Sequence, residues 1–475
     1  MNKNNIWIHL AIAAIIISIA ALAGQVRNWQ SQISLNKHRV ERKTAKKPMA
    51  VKRSPAESRP EVLVKFKPDV TLAQIKRLTA KNNDRIEDEI ENVKNLYSID
   101  DLDNLTAETV AKQYGEMSDL ILYAEPNFEI SLGEPVGTGP AKDLARSPVA
   151  KAAPNDPMFG DQWALSNSGQ SGGKEKADIG ALKAWLKTQG SEEVVVAVLD
   201  SGVDYAHSDL VTNIWFRPDN IPAYTDDELG TIDDKNGYNA DANTGDPMDQ
   251  NGHGTHCAGI IGAEGNNKKG ITGVNWKVEI MPLKFMGRGG FGTTKNAIEA
   301  INYAIDRKKA GVNVRVINAS WGSTMYSKAL EDTIRAAGEQ GILFVAAAGN
   351  NSTDNDKRPH YPSNYNLPNV ISVAALDRND GLASFSNYGA KTVHIAAPGK
   401  DILSTWLNEQ YREASGTSMA TPQVAGVAAL IISSEPKIKV QDLRKRLLQS
   451  VDSLDVLDGK IENAGRLNAS KALGE

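Results

Sequence analysis

The sequence predicts an α/β fold on a central, mostly parallel sheet, preceded by a small α+β unit. Three observations carry that prediction. Short unbroken apolar runs recur in residues 154–475, at Glu193–Leu199, Val314–Ile317, Ile342–Ala347, Val370–Ala374 and Val393–Ala396. Runs of this length suit strands buried on both faces. Amphipathic stretches lie between them: Lys295–Lys309 sets Ile298, Ile301, Ala304 and Ile305 on one stripe, and Ala329–Gln340 forms another. The third observation is charge. Residues 1–60 hold 11 Lys+Arg against 2 Asp+Glu, whereas residues 61–153 and 154–475 sum to −6 and −7, so the overall −4 averages pieces of different character.

Residues 1–24 read as a signal peptide or a membrane anchor. Ile6–Gly24 carries no charge, and Ala21-Leu22-Ala23 fits a small-x-small cleavage site. Residues 25–60 form a basic linker (Lys37, Arg39, Arg42, Lys43, Lys46, Lys47). Residues 61–132 form the small α+β unit. Glu61–Lys67 alternates with Val62, Val64 and Phe66 on one face, a strand pattern that Pro68 ends. Thr71–Lys81 and Ala107–Tyr114 read as helices, the first capped by Thr71, and Leu96–Ile99 and Leu120–Ala124 as strands. The predicted order is β-α-β-α-β, with no nucleophile and base set together. Residues 133–153, with Gly133, Pro135, Gly137, Gly139, Pro140 and Pro148, are a linker.

Composition excludes several classes. With 41% hydrophobic and 24% charged residues the chain is neither disordered nor fibrous. Its net charge gives no ground for a nucleic-acid partner. The single Cys257 excludes an intrachain disulfide framework.

Three segments of residues 154–475 carry chemistry. Asp200 directly follows the first apolar run, where an open α/β sheet gathers its reactive groups. Alone it reads as a helix cap or a phosphoryl-accepting carboxylate. His253 sits between two glycines in Asn251-Gly252-His253-Gly254-Thr255-His256-Cys257. A lone histidine is more often structural. Ser418, in Gly416-Thr417-Ser418-Met419-Ala420-Thr421-Pro422, lies at the N-terminus of the apolar helix Val424–Ile432. There a helix dipole favours developing negative charge, although a serine cap is the commoner reading. Together the three make an Asp…His…Ser set, one of the chain orders in which the serine-hydrolase triad occurs.

At these residues the sequence resembles the subtilisin-like serine proteases (subtilases), thermitase-like bacterial members among them. DSGVD at 200–204, HGTHCAG at 253–259, NASWGS at 318–323, AAAGN at 346–350 and GTSMATP at 416–422 occur in family order, and Gly465-Arg466-Leu467-Asn468-Ala469 resembles the start of the family's final helix. The resemblance spans about Asn155 to Leu473. It implies a subtilisin-like three-layer fold in residues 154–475 and an enzyme that hydrolyses peptide bonds of proteins through an acyl-enzyme. The catalytic residues implied are Ser418 as nucleophile, His253 as base, Asp200 as its orienter and Asn350 as oxyanion donor. The substrate segments implied are Ser320, Trp321, Gly322 and Ala346, Ala347, Gly349. His360 lies near the base of the pocket for the residue preceding the cut, and both the histidine there and the bulk of Trp321 depart from the family pattern.

The resemblance also implies structural calcium, held by the side chains of Asp156, Asp209 and Asn267 and the main-chain oxygens of Glu264, Lys269 and Ile271. Residues 212–250 read as an insertion rich in acids, a solvated loop in preference to a second cation site around Asp241. The small unit gains a role by resemblance as a ferredoxin-like inhibitory propeptide, cleaved within 133–153. The expected product is a secreted monomer; a periplasmic protein, or one anchored through residues 6–24, is the alternative. A catalytically dead binding protein is disfavoured by the complete set of catalytic residues. An esterase of the α/β-hydrolase kind would need a G-x-S-x-G turn and the order Ser…Asp…His, and Ser418 has neither.

Overall fold

The computed structural model describes residues 61–132, 139–140, 153–226 and 229–474. The expectations for residues 1–60 and for most of the 133–153 linker lie outside the described residues. Among the described residues no helix is long and apolar enough to cross a membrane.

Residues 61–131 build a four-stranded antiparallel sheet. Its elements are β1 (Glu61–Phe66), α1 (Leu72–Lys81), β2 (Asp84–Glu89), β3 (Leu96–Asp101), α2 (Ala107–Gly115) and β4 (Ile121–Pro126), in sheet order β2-β3-β1-β4. A short β5 (Glu129–Ser131) follows. The expected β-α-β-α-β order thus omitted β2. Its sequence, DRIEDE, has one apolar residue, and it pairs only with β3 at the sheet edge. Edge strands carry charge readily, which hides them from hydrophobic patterning. Alternation in β1 does divide its side chains as expected. Val62, Val64 and Phe66 pack with Ile75, Val110 and Tyr114 of the helices, while Leu63 faces the larger core.

The larger part centres on a nine-stranded sheet. Its strands are β6 (Gly190–Asp200), β7 (Tyr238–Asn239), β8 (Lys277–Lys284), β10 (Val314–Ala319), β11 (Leu343–Ala347), β12 (Val370–Leu376), β13 (Ile395–Pro398), β14 (Val451–Ser453) and β15 (Gly465–Leu467). The short β9 (Phe291–Thr293) lies outside it, paired with β5. The sheet order is β7-β8-β6-β10-β11-β12-β13-β15-β14. All pairs are parallel except β14 with β15. The helices α3 (His253–Gly262) and α6 (Thr417–Ser434) pack with one core, and α4 (Thr294–Lys309) and α5 (Lys328–Glu339) with the other. This is the three-layer arrangement that apolar strands interleaved with helices demand. Sixteen of the eighteen residues of α6 are buried, so the helix runs through the core.

The small unit docks on α4 and α5. β5 pairs antiparallel with β9, and the Leu132 N–H donates to the Gly290 carbonyl at 2.8 Å. The Glu125 carboxylate accepts from Ser327 Oγ, from the Lys328 N–H at 2.8 Å and from the Ala329 N–H at 3.2 Å, which places it over the N-terminus of α5. Tyr123 donates its hydroxyl to Asp332 at 3.0 Å. Lys295 at the start of α4 bonds Glu87 and stands 3.6 Å from both Glu61 and Asp88. Burial pushes the Glu61 carboxyl up to about 7.

Candidate active site

β6 ends on Asp200, so its carboxylate emerges at the carboxyl edge of the sheet, wholly buried. It receives the Ser201 N–H at 2.7 Å, and its two oxygens lie 2.8 and 3.0 Å from Nδ1 of His253. His253 opens α3. The preceding Gly252 has φ +108°, a left-handed conformation suited to glycine. Gly254 lets the helix press on the strand: a Cβ there would collide with the Gly202 carbonyl and lie 3.1 Å from the Asp200 Cβ. Burial lowers the affinity of His253 for a proton, but the charge and hydrogen bond of Asp200 more than offset this, and its pKa is raised above 6.5. Its Nε2 is buried and has no hydrogen-bond partner. His256, three residues on, is held neutral with a pKa lowered to about 3 by burial, and its Nε2 lies 3.0 Å from the Arg412 carbonyl.

Ser418 sits in the first turn of α6, whose backbone N–H groups have no carbonyl four residues earlier to bond. Its hydroxyl donates to the Ser320 carbonyl at 2.9 Å, and Ser320 Oγ donates back to the Ser418 carbonyl at 2.8 Å. α3 and α6 pack on each other, and Cys257, one turn along from His253, reaches the Ser418 carbonyl with its thiol at 3.5 Å. That thiol is fully buried and its pKa is pushed well up by burial, so it stays protonated. Asn350 follows β11. Its Oδ1 accepts from the Thr417 N–H at 2.8 Å and from Thr417 Oγ1 at 2.9 Å. The amide is thereby turned with Nδ2 toward Gly416, the residue beside the nucleophile's turn, where a Cβ would lie 3.4 Å away.

The expected substrate segments flank this turn. Ser320-Trp321-Gly322 continues from β10 and holds Ser418 through Ser320. Ala346 and Ala347 end β11, and Gly349 follows it, its N–H donating to Thr417 Oγ1 at 3.1 Å. The bulk of Trp321 turns inward: Nε1 donates to the Leu199 carbonyl at 2.9 Å, and the ring packs 4.8 Å from Phe285. Its side chain therefore belongs to the core beside Leu199 and Phe285.

The expected calcium residues also gather. Asp156 accepts from the Asn266 N–H at 2.7 Å and the Asn267 N–H at 3.1 Å. Asp209 accepts from Asn267 Nδ2 at 2.7 Å and from the Ile271 N–H at 3.0 Å, and its own carbonyl receives the Glu264 N–H at 2.7 Å. The Lys269 N–H donates to Asn267 Oδ1 at 2.8 Å, and its ammonium turns away to the Ser208 carbonyl at 3.3 Å. Two carboxylates and one amide oxygen, the oxygen chemistry a hard cation takes, thus lie together on the 264–271 loop.

The acid-rich insertion is solvated only in part: Asp219, Asp233 and Asp241 are exposed, but Asp226, Asp234 and Asp249 are buried. Asp234 is fully buried and bonds the Tyr224 N–H, the Tyr303 hydroxyl and Arg307, with Arg217 Nε 2.8 Å away. Asp249 bears on the site itself. One of its oxygens accepts from Ser201 Oγ and from the N–H groups of Asn251 and Gly252; the other accepts from the N–H and hydroxyl of Thr255. It caps α3 and ties His253 to the end of β6. Asp249 lies three residues before the N-cap Gly252, outside the position where a sequence reading looks for a capping side chain. Lys284 was missed as well. It lies opposite Asp200 in the β6–β8 register, buried, with its ammonium on the carbonyls of Ser201 and Met286.

Comparison with known proteins agrees with this geometry. Residues 191–474 match the Subtilase family of peptidases. The chain is 33% identical over 421 residues to a thermophilic serine proteinase of Bacillus sp. (strain AK1), covering 87% of each. It is 35% identical over 320 residues to thermitase of Thermoactinomyces vulgaris, covering 67% of this chain and 99% of that one. Among solved structures, fervidolysin from Fervidobacterium pennivorans, described as a keratinolytic enzyme related to subtilisin, superposes with a TM-score of 0.70 at 25% identity, over 90% of this chain and 62% of that one. The chain belongs to the subtilase family of serine endopeptidases.

Proposed function

We propose that the chain is an exported endopeptidase made as a zymogen, with residues 61–132 as an inhibitory propeptide and 154–475 as the catalytic domain. The observation that carries the catalytic reading is the buried Asp200–His253 pair with its unpartnered Nε2, on a helix packed against that of Ser418. A serine hydroxyl is a weak nucleophile at neutral pH. Rotation of Ser418 Oγ from the Ser320 carbonyl toward His253 lets Nε2 take its proton as Oγ attacks the scissile carbonyl. Asp200 fixes the imidazole orientation and stabilises the imidazolium. The oxyanion forms where Asn350 Nδ2 and the Ser418 N–H converge, and His253 then returns the proton to the leaving amine. Water repeats the sequence on the acyl-enzyme.

The β5–β9 pairing supports the inhibitory reading. An extended strand already lies on that edge, and any peptide that would pair with β9 must first displace it. Calcium at Asp156, Asp209 and Asn267, with the main-chain oxygens of Glu264, Lys269 and Ile271, would clamp the start of the mature chain to the 264–271 loop. A fold without disulfides gains most from such a clamp. Export follows from the apolar residues 6–24 and from the hazard an active protease poses inside its maker; the secreted monomer is the leading form and the anchored form its rival. The test compares wild type with Ser418→Ala on casein and on its own precursor. The variant should leave both uncut. Propeptide release by the pure alanine variant would refute autoprocessing.

A further inference from the structure

We propose that His360 fills the pocket for the side chain preceding the scissile bond and so directs cleavage to positions after glycine, alanine or serine. The inference rests on the reading of Ser418 as the nucleophile of a peptide hydrolase. Two backbone segments stand on either side of that serine. Ser320–Gly322 is fastened to it by the reciprocal Ser320–Ser418 bonds. Ala347–Gly349 is fastened to the preceding residue by the Gly349–Thr417 bond. A side chain next to a carbonyl under attack by Ser418 enters the slot between these segments.

His360 occupies that slot. Its neighbour Tyr361 pairs with Ser323 through two backbone hydrogen bonds of 2.7 Å, which bring residue 360 against Gly322. A Cβ on Gly322 would collide with Cε1 of His360 and lie 2.7 Å from its Nδ1. On the opposite wall, a Cβ on Gly349 would lie 3.1 Å from both Cδ2 and Nε2. The ring also hydrogen-bonds the Ala347 backbone. The imidazole therefore spans from one wall to the other, and glycine on both walls is what admits it. The backbone that carries the ring is fixed as well. The His360 N–H donates to Asn364 Oδ1 at 3.2 Å, and its carbonyl accepts from Ser363 Oγ at 2.7 Å and from the Asn364 N–H at 2.9 Å. Nδ1 is buried without a partner. Burial holds the ring neutral, with a pKa lowered to about 4, so it offers no charge to an acidic side chain. A ring that spans both walls leaves room between them for a small side chain at most. A phenylalanine or leucine ring or branch would have to displace the imidazole.

The test uses the processed full-length enzyme and tetrapeptide p-nitroanilides alike except for Ala, Leu or Phe at the last position. Wild type should favour Ala over Phe by about 10-fold or more in kcat/KM, and His360→Gly should raise the Phe/Ala ratio by about 10- to 100-fold. A second measurement needs no variant: mass spectrometry of a casein digest should place most cuts after Gly, Ala or Ser. Equal or better cleavage after Phe or Leu by wild type overturns the proposal. So does an active His360→Gly enzyme with an unchanged ratio. If a chain freed of its propeptide cuts neither casein nor any of the peptides, the proteolytic reading itself has failed and takes this inference with it.

Discussion

Glu125→Ala removes the contact by which the proposed propeptide caps α5. The carboxylate accepts three, from Ser327 Oγ and from the first two N–H groups of α5. Those N–H groups have no intrahelical partner, and the helix dipole favours a negative charge over them. Hydrogen bonds to a charged group contribute about 1.5–3 kcal/mol each, but three to one carboxylate do not add fully, and in the separated enzyme water takes over the donors. A net loss of about 2–4 kcal/mol follows, or roughly 30- to 1,000-fold in dissociation constant. The assay dilutes the processed but still associated enzyme and finds the concentration at which activity on a soluble peptide appears. Glu125→Ala should reach that point at a concentration higher by the same factor. Glu116→Ala, exposed in the same unit, is the control. A Glu125→Ala enzyme that stays inhibited to within about threefold of wild type would refute the argument that this cap holds the propeptide.

Three further outcomes are expected. Asn350→Leu should lower kcat by about 100- to 1,000-fold with little change in KM, because its donor acts on charge that develops only in the transition state; a KM effect alone would contradict the role. The acid limb of kcat/KM should lie above pH 6.5, since the base must be neutral and Asp200 raises the pKa of His253; activity is then lost as pH falls through that raised value, and a limb below 6.5 would contradict the pairing. EDTA should lower the melting temperature of wild type and much less that of Asp209→Ala, as a ligand bound only by the folded state stabilises by mass action; an unchanged melting temperature with no metal by elemental analysis would refute the calcium assignment.

How far the sequence revealed the molecule depends on where each residue's reason lies. Asp200, His253 and Ser418 were each ambiguous by position alone and stood out as a set in the order Asp…His…Ser, while Asn350 was legible only through the family resemblance. The buried strands β6, β10 and β11 stood out as unbroken apolar runs. β8 did not, because KVEIMPLK mixes lysines, a glutamate and a proline into a strand that nevertheless pairs with β6 at the centre of the catalytic chemistry. β2 escaped because its charges sit on an edge. Asp234 and Asp249 read as solvated because acids usually are; their partners Arg217, Arg307, Ser201 and Thr255 are distant in sequence or unremarked within a turn, and only the fold brings them together. Trp321 could be placed on the substrate segment but its direction could not. Side-chain direction there depends on packing against Phe285 and on the Leu199 carbonyl, which no local pattern encodes.

The central claim is that Ser418 is activated by His253 and Asp200. The most direct measurement treats the processed enzyme with an alkyl fluorophosphonate and maps the adduct by peptide mass spectrometry. The account predicts one adduct, on Ser418, with activity lost in step with labelling, and labelling slowed by orders of magnitude in His253→Ala. An adduct on another residue, or full labelling of Ser418 in an enzyme that still cleaves peptides, would contradict it.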